Sequence, residues 1–563
     1  MLNRTPQQRS NLLLGNACSE LALDPARDHD STQQTGTAAA DLDRLIAALR
    51  EPARYRHAVE RVELLQTHIS CILLAGDYAY KIKKPVNLGF LDFSTLAARR
   101  YYCEEELRLN RRTAPGLYLD VVAIGGSASA PVIGGGGAAI EYALRMRRFD
   151  QDDLLDRMAR RGALLPAHVD ALARGLAAFH AQIERAAADQ PFGSAACILA
   201  PALQNFEQML PLASAKADIA LLARLRDWSA REHAALAAVF AARKRDGWVR
   251  ECHGDLHLGN IALLEGVPTP FDGIEFNPDF RWIDVMNEVA FLVMDLLDHQ
   301  LPRLAFRFLN AYLEQTGDYA GLLVLRFYLV YRALVRAKVS CLRAHQTGMA
   351  AGEKAEIEHE YRRHLYLAER LAVPAHAALL IMHGLSGSGK TTISQGLLEA
   401  LGAVRLRSDV ERKRLFGLDA RERSGSGLDA GLYAPGASAH TYARLAELAR
   451  TVLAARYPVI VDAAFLKRSE RERFATLARE AGAGFLIAAC TAPAATLRAR
   501  VAAREGEARD ASEAGLAVLE HQFASQEALA QDEARHVMTI DAARGAGTPE
   551  AAALELRLGL ESV

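Results

Sequence analysis

The chain has 563 residues, of which half are apolar and 24% are charged, a composition typical of a globular protein with several cores. Its 67 Lys and Arg residues balance 68 Asp and Glu residues, so the net charge of -1 excludes a general electrostatic attraction to nucleic acid or anionic membranes. No apolar run approaches the roughly 20 residues that span a bilayer, and the seven scattered cysteines include no CxxC pair. We therefore expect a cytoplasmic, multidomain protein with no membrane or nucleic-acid partner.

The first part of the chain is predicted to form a small β-rich lobe. Residues 1–40 are polar and aperiodic, which predicts a disordered leader, and the apolar pattern begins at Asp41. Two strand-like runs, SCILLA and YAYKIKK, flank Gly76 and Asp77, the signature of a hairpin. Residues 41–149 form this lobe, in which VVAI (121–124) and EYALRMRRF (141–149) are further strands and Thr95–Arg112 has helical spacing.

Helices are predicted to dominate from Pro166 onward, so that residues 150–372 form a helical lobe. The predicted helices cover 166–187, 216–244, 284–298 and 319–345. A composition break around Pro374 then marks a domain boundary. Beyond it, residues 373–563 alternate strands and helices, which predicts an α/β domain with a parallel sheet.

A polar loop motif occurs in the helical part: HGDLHLGN (253–260), followed by FDGIE (271–275). Asp255 and Asn260 share one loop at this spacing, with the carboxylate facing an acceptor hydroxyl and the amide reaching magnesium. Asp272 follows a predicted hairpin strand and would complete the metal site. His253 is expected to brace the loop, whereas the sequence indicates no role for His257.

A second motif, GLSGSGKTT (384–392), fits the pattern GxxxxGK[ST] in full. Glycines allow successive backbone N–H groups to surround phosphate, the lysine supplies charge to the β- and γ-phosphates, and the first threonine ligates magnesium. Asp462, at the end of the apolar run PVIVD, is expected to hold the magnesium shell. The predicted nucleotide-binding residues are Gly384, Ser386, Gly387, Ser388, Gly389, Lys390, Thr391 and Thr392.

Candidate acceptor-binding groups follow the first helix of this domain, in the run RLRSD (405–409). Asp409 could bind or deprotonate an acceptor hydroxyl, and Arg412 or Arg414 could hold an anionic part of the acceptor. The alternative is a solvated, charged helix start. Residues 417–440 are predicted to form a mobile segment near the acceptor.

Arginines on a later helical stretch are candidates for stabilising the transferred phosphoryl group. Arg500 and Arg504, together with Arg498, could close over it, because this chemistry is mostly positioning and charge stabilisation. The alternative is an ordinary surface helix with salt bridges.

The motifs of residues 376–545 resemble those of the P-loop kinase group, which includes zeta-toxin-like, gluconate-kinase-like and polynucleotide-kinase-like domains. The motifs at 253–275 resemble those of the aminoglycoside phosphotransferase group, which shares the protein-kinase fold. The second resemblance implies a strand lysine, Lys81 with Lys83 as the alternative, and a helical glutamate. Among Glu104, Glu105 and Glu106, Glu105 best matches that group's spacing. The glycine-rich phosphate loop is missing, and residues 67–70 are expected to replace it.

The order of the two blocks resembles a bacterial fusion of an aminoglycoside-phosphotransferase-like domain with an AAA-type P-loop domain. The resemblance implies a bifunctional kinase that uses ATP and Mg²⁺ to phosphorylate hydroxyl groups of small molecules. A basic helix face with Arg332, Arg336 and Lys338 indicates either an anionic acceptor or packing against the second domain. The alternatives are a regulatory nucleotide sensor with one non-catalytic pseudokinase domain and a nucleic-acid end kinase, which the neutral charge disfavours.

Overall fold

The first helix that the structure describes, α1, covers Ser31–Leu49. The computed structural model describes residues 31–89, 91–346, 349–419, 422, 435–507, 515–541, 553–554 and 557–558. The prediction of a disordered leader is therefore wrong for residues 31–40. Three alanines at 38–40, the strongest helix formers, extend the amphipathic pattern of residues 41–49 towards the amino terminus. Residues 1–30 lie outside the described residues.

The chain divides into two compact units, and neither is one continuous segment. The small unit comprises residues 1–158, 183–202 and 240–288, and the large unit comprises 159–182, 203–239 and 289–563. The large unit thus combines helical segments that precede residue 372 with the P-loop block. The boundary near residue 372 remains a prediction.

Helices are found in all four regions predicted after Pro166, and further helices and strands occur beside the predicted ones. The further helices are α2 (Leu96–Asn110), α3 (Leu155–Arg160), α4 (Pro166–Gln182), α5 (Ala195–Met209), α6 (Lys216–Arg245), α7 (Pro278–Arg281), α8 (Val285–Asp298), α9 (Pro302–Thr316), α10 (Leu322–Ala344), α11 (Ala351–Ala372), α12 (Lys390–Leu401), α13 (Ser408–Leu415), α14 (Pro435–Ala454), α15 (Arg468–Glu480), α16 (Ala494–Glu507) and α17 (Leu516–Ser525). The strands are β1 (Val62–Gln66), β2 (Ser70–Ala75), β3 (Tyr78–Lys83), β4 (Tyr118–Ser127), β5 (Ala130–Ile133), β6 (Glu141–Arg147), β7 (Val249–Glu251), β8 (Ile261–Leu264), β9 (Val267–Pro270), β10 (Trp282–Asp284), β11 (Ala378–His383), β12 (Val404–Arg407), β13 (Val459–Asp462), β14 (Gly484–Thr491) and β15 (Val537–Asp541).

The small unit contains a six-stranded antiparallel sheet in the order β1-β2-β3-β6-β4-β5. The predicted hairpin is confirmed: Ala75 pairs with Tyr78 across a two-residue turn, in which Gly76 has a φ of 57°. Helix α2 begins at the Thr95 cap, whose side chain accepts a hydrogen bond from the Ala98 N–H. Ala79 of β3 and Leu107 of α2 belong to the same apolar core.

Short strands position the polar loop motif in the same unit. Strand β7 pairs with β10 and ends just before His253. The antiparallel hairpin of β8 and β9 connects Asn260 to the segment that contains Asp272. Asn260 and the segment that contains Asp272 are therefore held at the two ends of one hairpin.

The large unit contains a parallel sheet, as predicted, and its five strands lie in the order β12-β13-β11-β14-β15. Its central strand β11 leads into the P-loop. The main core of this sheet is formed by apolar residues that include Leu380, Met382, Leu397 and Ile460. Thus the fold is a mixed one, in which an antiparallel sheet and helices precede a P-loop domain with a parallel sheet.

The edge strand β12 is covered by helix α9. Asn310 on this helix is only 2% exposed. Its Nδ2 donates to the Ala403 carbonyl (2.9 Å), and its Oδ1 accepts from the Arg405 N–H (2.7 Å). One side chain therefore satisfies two of the backbone groups that an additional strand would otherwise pair.

Two expectations from composition can be compared with the described residues. No helix in that part of the chain is long and apolar enough to cross a membrane. The six cysteines it contains are free thiols rather than disulfides.

Candidate functional sites

The candidate site of the small unit is built on two buried lysines of β3. Their side chains point to the same side of the strand, as the period of two predicts. Lys81 Nζ lies 2.7 Å from Glu106 Oε1, and Lys83 Nζ lies 2.6 Å from Glu106 Oε2. Both lysines therefore share a single helical carboxylate, whose side chain is fully buried.

The expectation that Glu105 is the lysine partner is wrong. Glu105 instead accepts hydrogen bonds from Arg108 (2.7 Å) and Arg281 (3.0 Å). The buried stripe of α2 includes Cys103, Glu106 and Asn110, which are three and four residues apart. The spacing of buried residues along the helix would have identified Glu106, whereas the spacing in the aminoglycoside phosphotransferase group pointed to Glu105.

Asp272 is the second carboxylate that contacts Lys81. Its Oδ1 is 2.5 Å from Lys81 Nζ, and its side chain is 41% exposed. Asp272 has a φ of 62°, which a non-glycine residue seldom adopts, and its N–H donates to the Tyr118 hydroxyl (2.9 Å). The backbone thus holds this carboxylate in contact with Lys81 while leaving it partly accessible to solvent.

Glu275, for which the sequence suggested no role, completes the cluster. Its carboxylate contacts the Lys83 ammonium, and both side chains are buried. Lys83 therefore joins Glu106 on α2 to the segment that carries Asp272. Two lysines and three carboxylates leave a formal charge of -1, which a cation bound nearby would offset.

The pKa values of this cluster follow from burial and charge. Burial alone would lower the pKa of Lys81, but Asp272, Glu106 and Glu275 together raise it well above its usual value. Burial alone would raise the pKa of Glu106, but Lys81 and Lys83 lower it to about 2. The Lys81 ammonium and the Glu106 carboxylate are therefore both charged at neutral pH.

The loop motif brings Asp255 and Asn260 together, as predicted. Asn260 Nδ2 donates to Asp255 Oδ2 (2.9 Å), so its Oδ1 is turned to the other side of the amide, as a metal ligand requires. His253 Nε2 donates to the Phe271 carbonyl (2.8 Å), which links the loop to the residue before Asp272. This contact confirms the bracing role of His253.

His257 is a residue that sequence reasoning missed. Its Nε2 lies 3.5 Å from Asp255 Oδ2, and its Nδ1 accepts from the Gly259 N–H (3.1 Å). It therefore helps to orient the candidate catalytic carboxylate. Its position in the sequence, two residues after Asp255 in the same loop, could have indicated a contact with that aspartate.

The turn between β1 and β2 stands where a glycine-rich loop is expected. The Thr67 hydroxyl accepts hydrogen bonds from the Ile69 N–H (3.4 Å) and the Ser70 N–H (3.0 Å). Lys84 Nζ donates to the Thr67 carbonyl (2.7 Å). A side-chain-capped turn thus replaces glycine conformations at this position.

The candidate site of the large unit is the P-loop itself, between β11 and α12. Gly387 has a φ of 79°, and a Cβ there would lie 2.9 Å from the Leu497 carbonyl oxygen, so only glycine fits. The Ser386 N–H donates to Gln522 Oε1 on α17 (2.8 Å), a supporting contact that the sequence did not indicate. The N-terminus of α12 faces the loop, which favours bound phosphate.

The polar groups of this loop suit a phosphate and its metal ion. Lys390 Nζ donates to the carbonyls of Gly384 and Leu385 (both 2.8 Å) and so lies over the loop. The buried Ser388 hydroxyl has no hydrogen-bond partner among the described residues. Asp462 ends β13 as predicted and accepts from the Ser394 hydroxyl (3.2 Å). Thr391 begins α12, followed by the exposed Thr392.

The predicted acceptor-binding groups lie on α13. Asp409 Oδ1 is 3.3 Å from Arg412 Nη1, one turn away. Arg414 donates to the Glu314 carbonyl (2.5 Å) and contacts the Glu411 carboxylate. Arg414 is thus held by protein groups. Most of the predicted mobile segment 417–440 lies outside the described residues.

The arginines of α16 differ in the groups that they contact. Arg500 Nη1 donates to the Gly387 carbonyl (3.3 Å), which places it at the P-loop. Arg498 forms an exposed ion pair with Glu520 (2.7 Å). The side chain of Arg504 lies outside the described residues, so its predicted role stays a prediction.

The basic face of α10 packs against protein groups. The Arg332 guanidinium lies 4.5 Å from the centre of the Phe291 ring, and burial lowers the pKa of Lys338 to about 8. On the same helix, Arg326 donates to the Ala455 carbonyl (2.9 Å), so α10 contacts the P-loop domain.

A strand lysine paired with a helical glutamate, an aspartate and asparagine that share a loop, and a second aspartate beside the lysine form the arrangement that protein kinases have. A P-loop kinase domain follows in the same chain, so the molecule is a fusion of two kinase folds.

The family model described as an AAA domain matches residues 379–529. The chain is 30% identical over 451 residues, 80% of its length and 88% of the relative's, to "Uncharacterized protein Rv2004c" of Mycobacterium tuberculosis, and it belongs to the same family. "Uncharacterized protein Mb2027c" of Mycobacterium bovis matches to the same extent.

Solved structures of several kinases resemble parts of the chain. A sugar kinase from Janibacter is 22% identical and covers 33% of this chain and 96% of its own, with a TM-score of 0.26. The amicoumacin kinase hAmiN is 14% identical and covers 61% of this chain and 96% of its own, with a TM-score of 0.37. Plasmodium vivax ethanolamine kinase is 10% identical and covers 63% of this chain and 96% of its own, with a TM-score of 0.38.

Proposed function

We propose that the chain is a bifunctional, ATP-dependent kinase with one Mg-ATP site in each unit, and that each site transfers the γ-phosphate to a hydroxyl group of a small molecule. One observation carries the proposal. Lys81 contacts both Glu106 on α2 and Asp272 beyond the catalytic loop. Protein kinases need this lysine–glutamate pair and the metal-binding aspartate in place together in order to transfer phosphate.

In the small unit, Asp255 is the group that would accept the proton of the acceptor hydroxyl. Asn260 Nδ2 donates to one of its oxygens, and His257 lies beside the same oxygen, so the carboxylate is oriented. Asp272 and Asn260 Oδ1 are the oxygen ligands that would hold magnesium, which prefers such donors. Magnesium would neutralise the charge that develops on the transferred phosphoryl group.

In the large unit, the backbone N–H groups of residues 387–391 would surround the phosphates. Lys390 would leave the carbonyls that it now contacts and bind the β- and γ-phosphates. Thr391 and Asp462 would hold the magnesium shell, and Arg500 is close enough to the loop to stabilise the transferred group. Asp409 is the proposed acceptor-binding carboxylate.

A regulatory nucleotide sensor is the second candidate function. The capped Thr67 turn favours it, because a glycine-free loop in the small unit offers fewer backbone groups to phosphate. In that case the small unit would bind nucleotide without transferring its phosphate.

The experiment that separates the two functions uses the full chain. ATP consumption and ³²P transfer to a bacterial metabolite extract are measured for the parent, Asp255→Asn, Lys390→Ala and the double variant. A bifunctional kinase loses a different set of labelled products in each single variant and all products in the double variant. If Asp255→Asn retains every labelled product of the parent, the small unit is not a kinase and the sensor hypothesis is retained.

A further inference from the structure

Arg405 lies inside the large unit between helix α9 and the P-loop. It is 6% exposed, and its Nε and Nη2 donate to Glu314 Oε1 at 3.1 and 2.8 Å. Its Nη1 donates at 3.3 Å to the Thr391 carbonyl and also to the Ser394 hydroxyl. One guanidinium therefore connects a residue of α9 to two residues of α12.

The next contact in this series leads to the magnesium carboxylate. Ser394 is fully buried, and its hydroxyl is within hydrogen-bond distance of both the Thr391 carbonyl (3.0 Å) and Asp462 Oδ2 (3.2 Å). A hydroxyl has only one proton to donate. Because Arg405 supplies a donor to the Thr391 carbonyl and another to Ser394 Oγ, the serine proton is free to face Asp462.

We propose that Glu314, Arg405 and Ser394 are positioning residues for the metal site of the P-loop, and that Glu314 on α9 thereby sets how tightly this site holds Mg²⁺ with ATP. The inference rests on the proposed kinase function of the large unit. None of the three side chains needs to touch the nucleotide. They fix the orientation of Asp462 and of the first turn of α12, which contains Thr391.

The charges support this role over a purely structural one. Arg405 faces Glu314 through two of its donors, and Arg407 Nη1 is 3.7 Å from the other oxygen of the same carboxylate. Once Glu314 loses its charge, Asp462 is the remaining carboxylate in this series of hydrogen bonds, and the Arg405 guanidinium is free to turn towards it. It would then compete with the metal ion for that group, so the predicted effect is on metal dependence.

The experiment measures ATP turnover of the full chain against Mg²⁺ concentration, and calorimetric ATP binding with EDTA. Only the fraction of ATP turnover and of ATP binding that Lys390→Ala abolishes is assigned to the P-loop. Glu314→Gln, Arg405→Lys and Ser394→Ala are expected to raise the half-saturating Mg²⁺ concentration about tenfold, while ATP binding without metal stays within about twofold. Arg307→Gln is the matched control, because Arg307 on α9 contacts Glu399 of α12 but none of these residues.

Each outcome decides the question. An unchanged Mg²⁺ dependence of Ser394→Ala, the smallest change and the variant that keeps both charges, overturns the inference even if the other variants fail to fold. An equal shift in Arg307→Gln also overturns it, because loosened packing would then be the cause. If the parent has no ATP binding or turnover that depends on Lys390, the proposed function itself is wrong.

Discussion

The two candidate nucleotide sites differ in what would hold the phosphates. In the small unit the groups are charged side chains that come from distant positions, with Lys81 and Asp272 separated by 191 residues. In the large unit they are mainly backbone N–H groups of one short loop. Side-chain sites depend on long-range packing, whereas the P-loop needs only a strand, glycines and a helix N-terminus.

The largest effect expected is at the P-loop lysine. Lys390→Ala should reduce turnover in the large unit by about a hundred- to a thousandfold, because it removes a cation from the transferred phosphate without disturbing the core. Turnover is measured with the metabolite extract. Lys467→Ala, which changes a half-exposed lysine, is the control and should behave as the parent. Parent-like turnover in Lys390→Ala would contradict the P-loop assignment.

Loss of the shared carboxylate in the small unit should cost stability as well as activity. Glu106→Gln leaves two buried lysines with one partner fewer, and the free energy of unfolding should fall by about 3–5 kcal/mol. Glu105→Gln, one position away, should cost about 1 kcal/mol, because its arginine partners retain Glu251. Chemical denaturation measures both. Equal losses in the two variants would mean that the lysine pair does not depend on Glu106.

The two aspartates of the small unit should have separable roles. Asp255→Asn keeps shape and hydrogen bonding but removes the base, so turnover should fall about a hundredfold while Mg-ATP still binds. Asp272→Asn removes charge beside the phosphates, so Mg-ATP binding itself should weaken. Calorimetry with and without magnesium checks the difference. Binding by Asp272→Asn that equals the parent's would exclude it as the metal ligand.

Acid should affect the small unit through Glu106. Its folded pKa of about 2 lies below its ordinary value of 4.5, so its contribution to stability is complete above about pH 4.5 and is lost as the pH falls towards 2. Acid unfolding of the parent should therefore steepen in this window. Glu106→Gln, which has no carboxyl to titrate there, should show a flatter dependence. Identical pH profiles would refute this account of the ion cluster.

The smallest effect on turnover should separate two arginines of α16. Arg500→Ala removes the side chain that reaches the P-loop and should lower turnover about tenfold. Arg498→Ala removes only an exposed ion pair and should change neither turnover nor stability measurably. Steady-state kinetics with both variants tests the assignment. If Arg498→Ala lowers turnover more than Arg500→Ala does, the assignment of Arg500 to the P-loop is wrong.

Local motifs could be predicted from the sequence, whereas contacts between residues far apart in the chain could not. The P-loop, Asp462 and the parallel sheet were readable because each depends on local spacing and on apolar strand runs. Asp255, Asn260 and His253 were readable for a similar reason, since they belong to one loop. Glu106 was missed because three consecutive glutamates all satisfy a charge requirement, and only the buried stripe of α2 distinguishes them. The contacts of Arg405 with Glu314 could not be predicted, since no periodicity relates residues so far apart in the chain.

Asn310 has a consequence for any attempt to study the carboxy-terminal domain by itself. A fragment that begins at residue 373 would keep the P-loop but lose the amide that now pairs with Ala403 and Arg405. The exposed border of β12 would then offer a free carbonyl and a free N–H to a second molecule. Such a fragment is expected to associate through strand pairing and to accumulate in inclusion bodies.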